Sequence, residues 1–110
     1  MTIEDVKARF AEGWAPDLDV GVGWHDLISV LDGALARLDP EYTVVQIKEK
    51  FGGLRYYIGT IDPSVRTEAE TLIHIAEQAA LHSCEECGRY AAGTEEVNGW
   101  YHTLCEEHKS

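Results

Sequence analysis

Positive charge is scarce in this sequence. Nine lysines and arginines stand against 20 aspartates and glutamates, which gives a formal net charge of -11. An acidic balance of this size repels the phosphate backbone of nucleic acids, so general DNA or RNA binding is not expected. Basic partners, or one local exception in the charge distribution, are the remaining places to look for binding.

Long apolar runs are also lacking. No stretch approaches the roughly 20 apolar residues that a membrane-spanning helix needs. The first residues, MTIEDVKARFAEGW, have scattered charges and no apolar centre of the kind that a secretory signal contains. We therefore expect no membrane partner and a cytoplasmic location. With 110 residues, 45% of them hydrophobic and 26% charged, the chain is long enough for one modest globular core.

The common catalytic motifs are missing too. The sequence has no phosphate-binding glycine loop, no H-E-x2-H and no nucleophile elbow. Asp17 and Asp19, with His25 and Asp26, could be drawn as an acid–base cluster. Such carboxylates are more often solvated or favour the first turn of a helix through its dipole. Because so few parts of a catalytic site can be identified, we expect a non-enzymatic protein with no catalytic residues.

Apolar periodicity predicts three helices. Residues 2–12 form a short amphipathic candidate, and residues 24–38 follow the i, i+3, i+4, i+7 rule more completely. A second long helix is predicted to begin with Asp62 as N-cap and Pro63 at the first helical position. Its apolar line ends near His82.

Between the long helices, the composition predicts a β-hairpin. Residues 42–50 and 54–60 are rich in Val, Ile, Tyr and Thr and are separated by glycine, whereas the proline and glycines of residues 13–23 indicate a loop. A two-stranded hairpin needs cover, which amphipathic helices can supply on one face. The predicted fold class is α+β, with helices packed on a β-hairpin in a core domain of residues 1–83.

All three cysteines lie in the last 27 residues, CEECGRYAAGTEEVNGWYHTLCEEHKS. Cys84 and Cys87 form a C-x2-C pair, and 17 residues later Cys105 and His108 form C-x2-H. Three thiolates and an imidazole at this spacing suit a tetrahedral Zn2+ ion and leave no open position for water, so we predict a structural zinc site. Residues 84–110 are then a Cys3His zinc finger.

The order of turns within this segment favours a treble-clef or ribbon-like finger. Gly88 directly after the first pair suits a knuckle with positive φ, and Asn98-Gly99 is a strong two-residue hairpin signal. A disulfide would leave one thiol over, and a redox C-x2-C would be expected to open a helix rather than follow one. His102 is a further ligand candidate, although a surface position on a strand is the commoner role.

One stretch, QIKEKFGGLRYY, reverses the charge of its surroundings. Residues 44–60 sum to +2 and the other 93 residues to -13. Its cations could converge on phosphate, its glycines permit close backbone approach, and its aromatics could stack on a base. The alternative is that the cations pair across strands with acids such as Glu49 and that the aromatics are hairpin core. The predicted ligand-binding residues are Lys48, Lys50, Phe51, Gly52, Gly53, Arg55 and Tyr57.

Several runs of the chain resemble a family of small proteins found in bacterial genomes, phages and prophages. They are GWHDLISVLDGAL, VVQIKEKFGGLRYY, the helix leading to SCEECG, and GWYHTLCEEH, over roughly residues 20–108. The K-E-K-F-G-G-L-R run and the two Cys/His pairs are the specific marks. The resemblance implies a setting, the bacterial host cell, rather than a mechanism. By size and context alone it implies a phage protein that counteracts host defence.

Two classes of function fit these observations. In the first, the hairpin sequesters a small anionic, nucleotide-like ligand in a pocket that a second copy of the chain could complete, as a homo-oligomer. In the second, the protein is an interaction inhibitor that binds a host protein, either through an acidic surface that mimics nucleic acid or through its zinc finger.

Overall fold

The structure is a computed structural model that describes residues 2–90 and 92–109. Over these residues it is a mixed α+β fold with three α-helices and two small sheets, as predicted at this level. None of its helices there is both long and apolar enough to cross a membrane. The elements are α1 (Ile3–Lys7), β1 (Leu18–Asp19), α2 (His25–Leu38), β2 (Val44–Lys50), β3 (Gly53–Ile58), α3 (Arg66–Ala80), β4 (Gly93–Val97) and β5 (Trp100–Leu104).

Helix α1 is shorter than the sequence predicted. Thr2 and Asp5 form a capping box at its start, but the helix ends at Lys7 rather than near residue 12. The backbone beyond it is used differently, because Val44 N–H donates to Arg9 O at 2.9 Å and Ala11 N–H donates to Val44 O at 2.9 Å. These strand-like bonds compete with helical ones and hold the N-terminal segment beside β2.

The main sheet has three strands in the order β1-β2-β3, not the two of a simple hairpin. Strands β2 and β3 are antiparallel neighbours, as predicted, whereas β1 pairs with β2 in parallel through Leu18–Ile47 and Asp19–Lys48. The prediction that residues 13–23 are all loop was therefore wrong. A two-residue strand is too short to show alternation, and its partner lies far along the chain.

A β-bulge sets the inner face of β2. The pairing register shifts between Val44 and Gln46, and both Val44 and Ile47 are buried although they lie three positions apart. The extra residue of a bulge lets both side chains face the helices, which strict alternation would prevent.

Helix α3 begins largely as predicted. The Asp62 carboxylate accepts from Ser64 N–H at 2.9 Å, and a 3-10 turn over Pro63–Val65 leads into the helix. The buried positions are small, Ala69, Ala76 and Ala80, and the helix packs on α2 and on β3. Alanines let the helix axis come close to its neighbours.

The core between helices and sheet contains one buried polar network. Asp32 of α2 is fully buried and accepts from Arg9 Nε at 3.0 Å and from the Tyr42 hydroxyl. The Tyr42 and Tyr56 hydroxyl oxygens lie 2.7 Å apart. Burial raises the pKa of both tyrosines, and the Tyr56 and Asp32 charges add to the shift of Tyr42. Tyr42 therefore stays protonated and donates to the Asp32 carboxylate. The network joins the N-terminal segment, α2, the segment that leads into β2, and β3.

The C-terminal segment contacts the core at the start of α2. Trp24 Nε1 donates to Ser83 O at 2.8 Å, and Gly23 N–H donates to Glu85 O at 2.9 Å. A Cβ atom at Gly23 would lie 2.2 Å from Cys84 O and 2.7 Å from Gly88 N, so only glycine lets the two backbones come this close. The division into domains 1–83 and 84–110 stays a prediction, and this contact is one of the places where the two would meet.

We expect Gly23→Ala to destabilise the protein by about 1–3 kcal/mol, because the atoms in its way are backbone atoms that cannot rotate aside. The matched control is Gly93→Ala, since a Cβ atom there would meet nothing within 4 Å. Urea unfolding followed by tryptophan fluorescence gives both free energies of unfolding. Equal values for the two variants would show that the close contact is not a constraint.

Candidate functional site

The structure brings together the four residues that were predicted as metal ligands. One ligand atom from each of Cys84, Cys87, Cys105 and His108 can be chosen so that all lie within 4.8 Å of one another. The Sγ atoms of Cys87 and Cys105 are 3.7 Å apart, and His108 Nδ1 is 3.6 Å from Cys84 Sγ and 3.1 Å from Cys105 Sγ. Cys84 and Cys105 are buried, whereas Cys87 and His108 are exposed. This cluster could hold a metal ion.

Two tight turns position the ligands. In the first, Gly88 has φ +79 and its N–H donates to Cys84 O at 2.9 Å, as the sequence predicted for a knuckle. In the second, a 3-10 turn over Glu106–His108 closes with a bond from His108 N–H to Cys105 O at 3.0 Å. The β4–β5 hairpin joins them, and its Asn98-Gly99 turn has positive φ at both residues, which is the type I′ pattern. Each pair of ligands is thus set by local geometry.

Electrostatics in the cluster lower the pKa of Cys84 and Cys105 and so favour their thiolates. The pKa of Cys87 is raised, because burial and the Cys105 and Cys84 sulfurs outweigh the hydrogen bond from the Arg89 backbone that acts to lower it. Burial alone would raise the pKa of Cys84, but the backbone N–H groups of Cys105, Cys87 and Glu86 donate to its sulfur and lower the pKa to about 6. Hydrogen bonds to the Cys105 and Cys84 sulfurs raise the pKa of His108 above its usual value. Thiolate is the form of cysteine that binds metals, so the local backbone prepares Cys84 for coordination.

The other histidines considered lie outside the cluster. His102 is an exposed residue of β5 whose Nδ1 is 3.9 Å from Glu85 Oε2, and His82 follows α3 and lies against the Tyr90 ring at 6.1 Å between centroids. The three cysteines are all free thiols, so the structure contains no disulfide among them. Among the described residues, His102 is therefore not part of the cluster and no disulfide joins its cysteines.

The basic stretch divides between the two faces of the hairpin. Lys48 and Arg55 are direct cross-strand partners, and strand alternation places them on the face opposite the buried Ile47 and Leu54. Lys50 and Tyr57 share this outer side of the sheet by the same alternation. We call Lys48, Lys50, Arg55 and Tyr57 the basic face.

The acids that could neutralise the basic face lie elsewhere. Glu49 points to the opposite side, where its carboxylate accepts from Gly52 N–H at 2.7 Å. Asp19 is next to Lys48 in the strand register, yet within the described residues neither it nor any other carboxylate comes within 4.0 Å of the nitrogens of Lys48, Lys50 or Arg55. The pairing with Glu49 that the sequence left open is therefore not the one formed.

The first glycine of the turn, Gly52, lies against the C-terminal hairpin. Gly52 and Gly53 are buried, and a Cβ atom at Gly52 would lie 2.8 Å from Thr94 Cγ2. Gly52 O accepts from the Thr103 hydroxyl at 2.7 Å. The close approach that Gly52 allows is thus made by side chains and backbone of the β4–β5 hairpin rather than by a ligand.

Phe51 occupies the tip of the same turn. It has φ +55, a conformation that is uncommon outside glycine and asparagine, and 64% of its surface is exposed. Its ring meets Tyr101 edge-on with centroids 6.2 Å apart, and Lys50 Nζ lies 5.6 Å from its centroid. Sequence reasoning missed Tyr101 and the buried Thr103, because both reach the turn from a segment about 50 positions away and carry no local signal.

Comparison with protein-family models, with curated proteins and with solved structures finds no match for this chain.

Proposed function

We propose that this protein is a non-enzymatic, zinc-containing binding protein whose basic face binds a small anionic, nucleotide-like ligand. Zinc would be held by Cys84, Cys87, Cys105 and His108 in a treble-clef-like finger and would have a structural role. In the bacterial or phage setting that the family resemblance implies, such binding would sequester the ligand and counteract host defence.

The distances in the cluster support zinc. A tetrahedral ion with bonds of about 2.3 Å to sulfur and about 2.0 Å to nitrogen places neighbouring ligand atoms about 3.5–3.8 Å apart. The separations of 3.7 Å between Cys87 and Cys105 and 3.6 Å between Cys84 and His108 agree with this spacing, whereas His108 Nδ1 and Cys105 Sγ, at 3.1 Å, are closer than a bound ion would hold them. Three soft thiolates with one imidazole are also the donor set that zinc favours over harder cations such as magnesium and calcium. Four protein ligands leave no position for a reacting water.

The observation that carries the ligand proposal is the Lys48–Arg55 pair. Like charges directly opposite each other on neighbouring strands destabilise a sheet. This pair is formed in a chain with 20 acidic residues, none of which lies within salt-bridge distance of it in the described part of the structure. A bound anion would remove the repulsion, and the exposed ring of Tyr57 offers a stacking surface beside it.

The protein-interaction alternative has less support from the finger. Its acidic residues are partly neutralised within the chain, because Lys109 Nζ lies 2.9 Å from Glu95 Oε1 and 3.2 Å from Glu106 Oε1. Arg89 is 3.4 Å from Glu107. A surface that mimics nucleic acid would keep such charges free for a basic partner. The small-anion proposal is therefore preferred.

Arg55→Glu tests the proposal with and without ligand. Because β3 is an edge strand, residue 55 faces only Lys48, whereas Lys48 also has Asp19 beside it in the register. The variant places opposite charges across the strands, and we expect the free energy of unfolding to rise by about 0.2–1 kcal/mol in urea titrations. Calorimetric titration with ADP and with inorganic pyrophosphate should show binding to the unsubstituted protein and none to the variant. Lys7→Gln, at an exposed lysine on α1, is the control for the calorimetric titrations and should leave ligand binding unchanged. If Arg55→Glu lowers the stability instead, the pair is already compensated within the chain and the proposal fails.

A further inference from the structure

The solvent face of α2 carries a narrow stripe with unusual residues. Its positions follow i, i+4, i+7, i+11 and lie opposite the buried Ile28 and Leu35. Val30 in the stripe is 72% exposed, and the stripe residues line one open groove along the helix. We call this the α2 stripe, and its members are Asp26, Val30, Gly33 and Arg37.

Two of these residues are poor choices for a helix that faces only water. Glycine in a helix interior is less favourable than alanine by about 1 kcal/mol, and valine has a lower helix propensity than unbranched side chains. Gly33 also leaves a notch in the surface next to the protruding Val30. A knob and a notch on one line are what a packed helix–helix contact needs.

The α2 stripe is self-complementary when two copies of the helix are placed antiparallel. In an antiparallel pair of α2 helices, Asp26 would stand opposite Arg37 of a second copy, and Val30 opposite Gly33 of that copy. The same register sets Ser29, which flanks the stripe, opposite Ala34. We propose that two copies of this chain associate through α2 in this antiparallel register, about a twofold axis that passes between positions 31 and 32.

The charges identify the partner as a second copy. Asp26 and Arg37 are both exposed and form no ion pair within the described residues, and they are too far apart to pair with each other, since 11 helical positions span about 16 Å. The stripe is neutral on a chain of net charge -11, so it is a surface on which two such chains can meet without added repulsion. A twofold contact forms two Asp26–Arg37 pairs, so that each of the four charges gains a partner of opposite sign.

The contact is small, which sets the expected affinity. Helix α2 has 14 residues and is therefore about 21 Å long, so one helix pair buries less than the roughly 1,200 Å2 of a standard interface. The remaining negative charge of each copy also opposes association. We expect a dissociation constant on the order of 10–100 μM, and the dimer should strengthen as salt screens the repulsion.

Charge-swapped variants test the register directly. Sedimentation of the unsubstituted protein between about 5 and 500 μM, at 0.3 M salt, should show a monomer–dimer equilibrium. Asp26→Arg alone and Arg37→Asp alone should each remain monomeric over this range, because each places like charges opposite each other. An equimolar mixture of the two single variants should dimerise again, since every facing pair then has opposite signs.

A further variant separates packing from charge. Gly33→Leu fills the notch that receives Val30 and should weaken the dimer at least tenfold without unfolding α2, which circular dichroism checks. Glu70→Arg is the control, because it reverses an exposed charge on α3 and should leave the equilibrium unchanged. A protein that is monomeric at 500 μM, or single variants that fail to restore the dimer when mixed, would overturn the proposal.

Discussion

Cys84→Ser is expected to unfold the C-terminal hairpin while leaving the helices and the three-stranded sheet folded. The reason is that the C-terminal segment has only a small hydrophobic core of its own. Its buried hydrophobic residues are Cys84, Ala92 and Cys105, with Leu104 partly buried beside them. Two of the three are metal ligands, so little apolar surface remains to stabilise β4 and β5. A lone two-stranded hairpin is marginal in water, and a bound metal would supply most of the folding free energy.

The measurement combines metal content with hydrogen exchange. The unsubstituted protein should contain one zinc per chain and protect the β4 and β5 amides, and EDTA should remove both the metal and the protection. Cys84→Ser should show the same loss without EDTA. His102→Asn is the matched control, because it changes an exposed histidine of the same hairpin that lies outside the cluster, and it should retain both. A Cys84→Ser protein with protected β4 and β5 amides would contradict a metal-dependent fold.

The metal ligands could be predicted from the sequence because their geometry is local. Each C-x2-C or C-x2-H pair is closed by one turn, and Gly88 and Asn98-Gly99 mark two of the turns with residues that tolerate positive φ. The spacing between the pairs then needs only a short hairpin. The same reasoning could not reach β1, whose two residues gain strand geometry only from β2, more than 25 positions away.

The role of the hairpin turn illustrates a second limit. The sequence shows that Gly52 allows close approach, but not which group approaches, and the structure places Thr94 and Thr103 there. Likewise, Lys48 and Glu49 are neighbours in the chain, yet adjacent strand residues face opposite sides of a sheet. Alternation along a predicted strand therefore argues against an ion pair between Lys48 and Glu49 even before the structure is known.

We expect Asp32→Leu to lower the free energy of unfolding by about 3–5 kcal/mol. The substitution leaves Arg9 and the Tyr42 hydroxyl beside a side chain that cannot accept a hydrogen bond. The network escaped prediction because Arg9, Tyr42 and Tyr56 come from separate elements, and only the folded chain places them around Asp32. One Asp32 oxygen, Oδ2, has no hydrogen-bond partner among the described residues, so the carboxylate already carries an uncompensated desolvation cost.

A double-mutant cycle separates the worth of this buried pair from the penalty of breaking it. Arg9→Met alone should also destabilise strongly, because it leaves the Asp32 charge buried with only the tyrosine as donor. Arg9→Met combined with Asp32→Leu should recover much of the loss, since replacing a whole buried ion pair by apolar groups is often close to neutral. Urea unfolding gives the four free energies, and Glu68→Leu, at an exposed carboxylate of α3, is the control. Two single effects that simply add would show that Arg9 and Asp32 act independently, and that the network does not tie the N-terminal segment to the core.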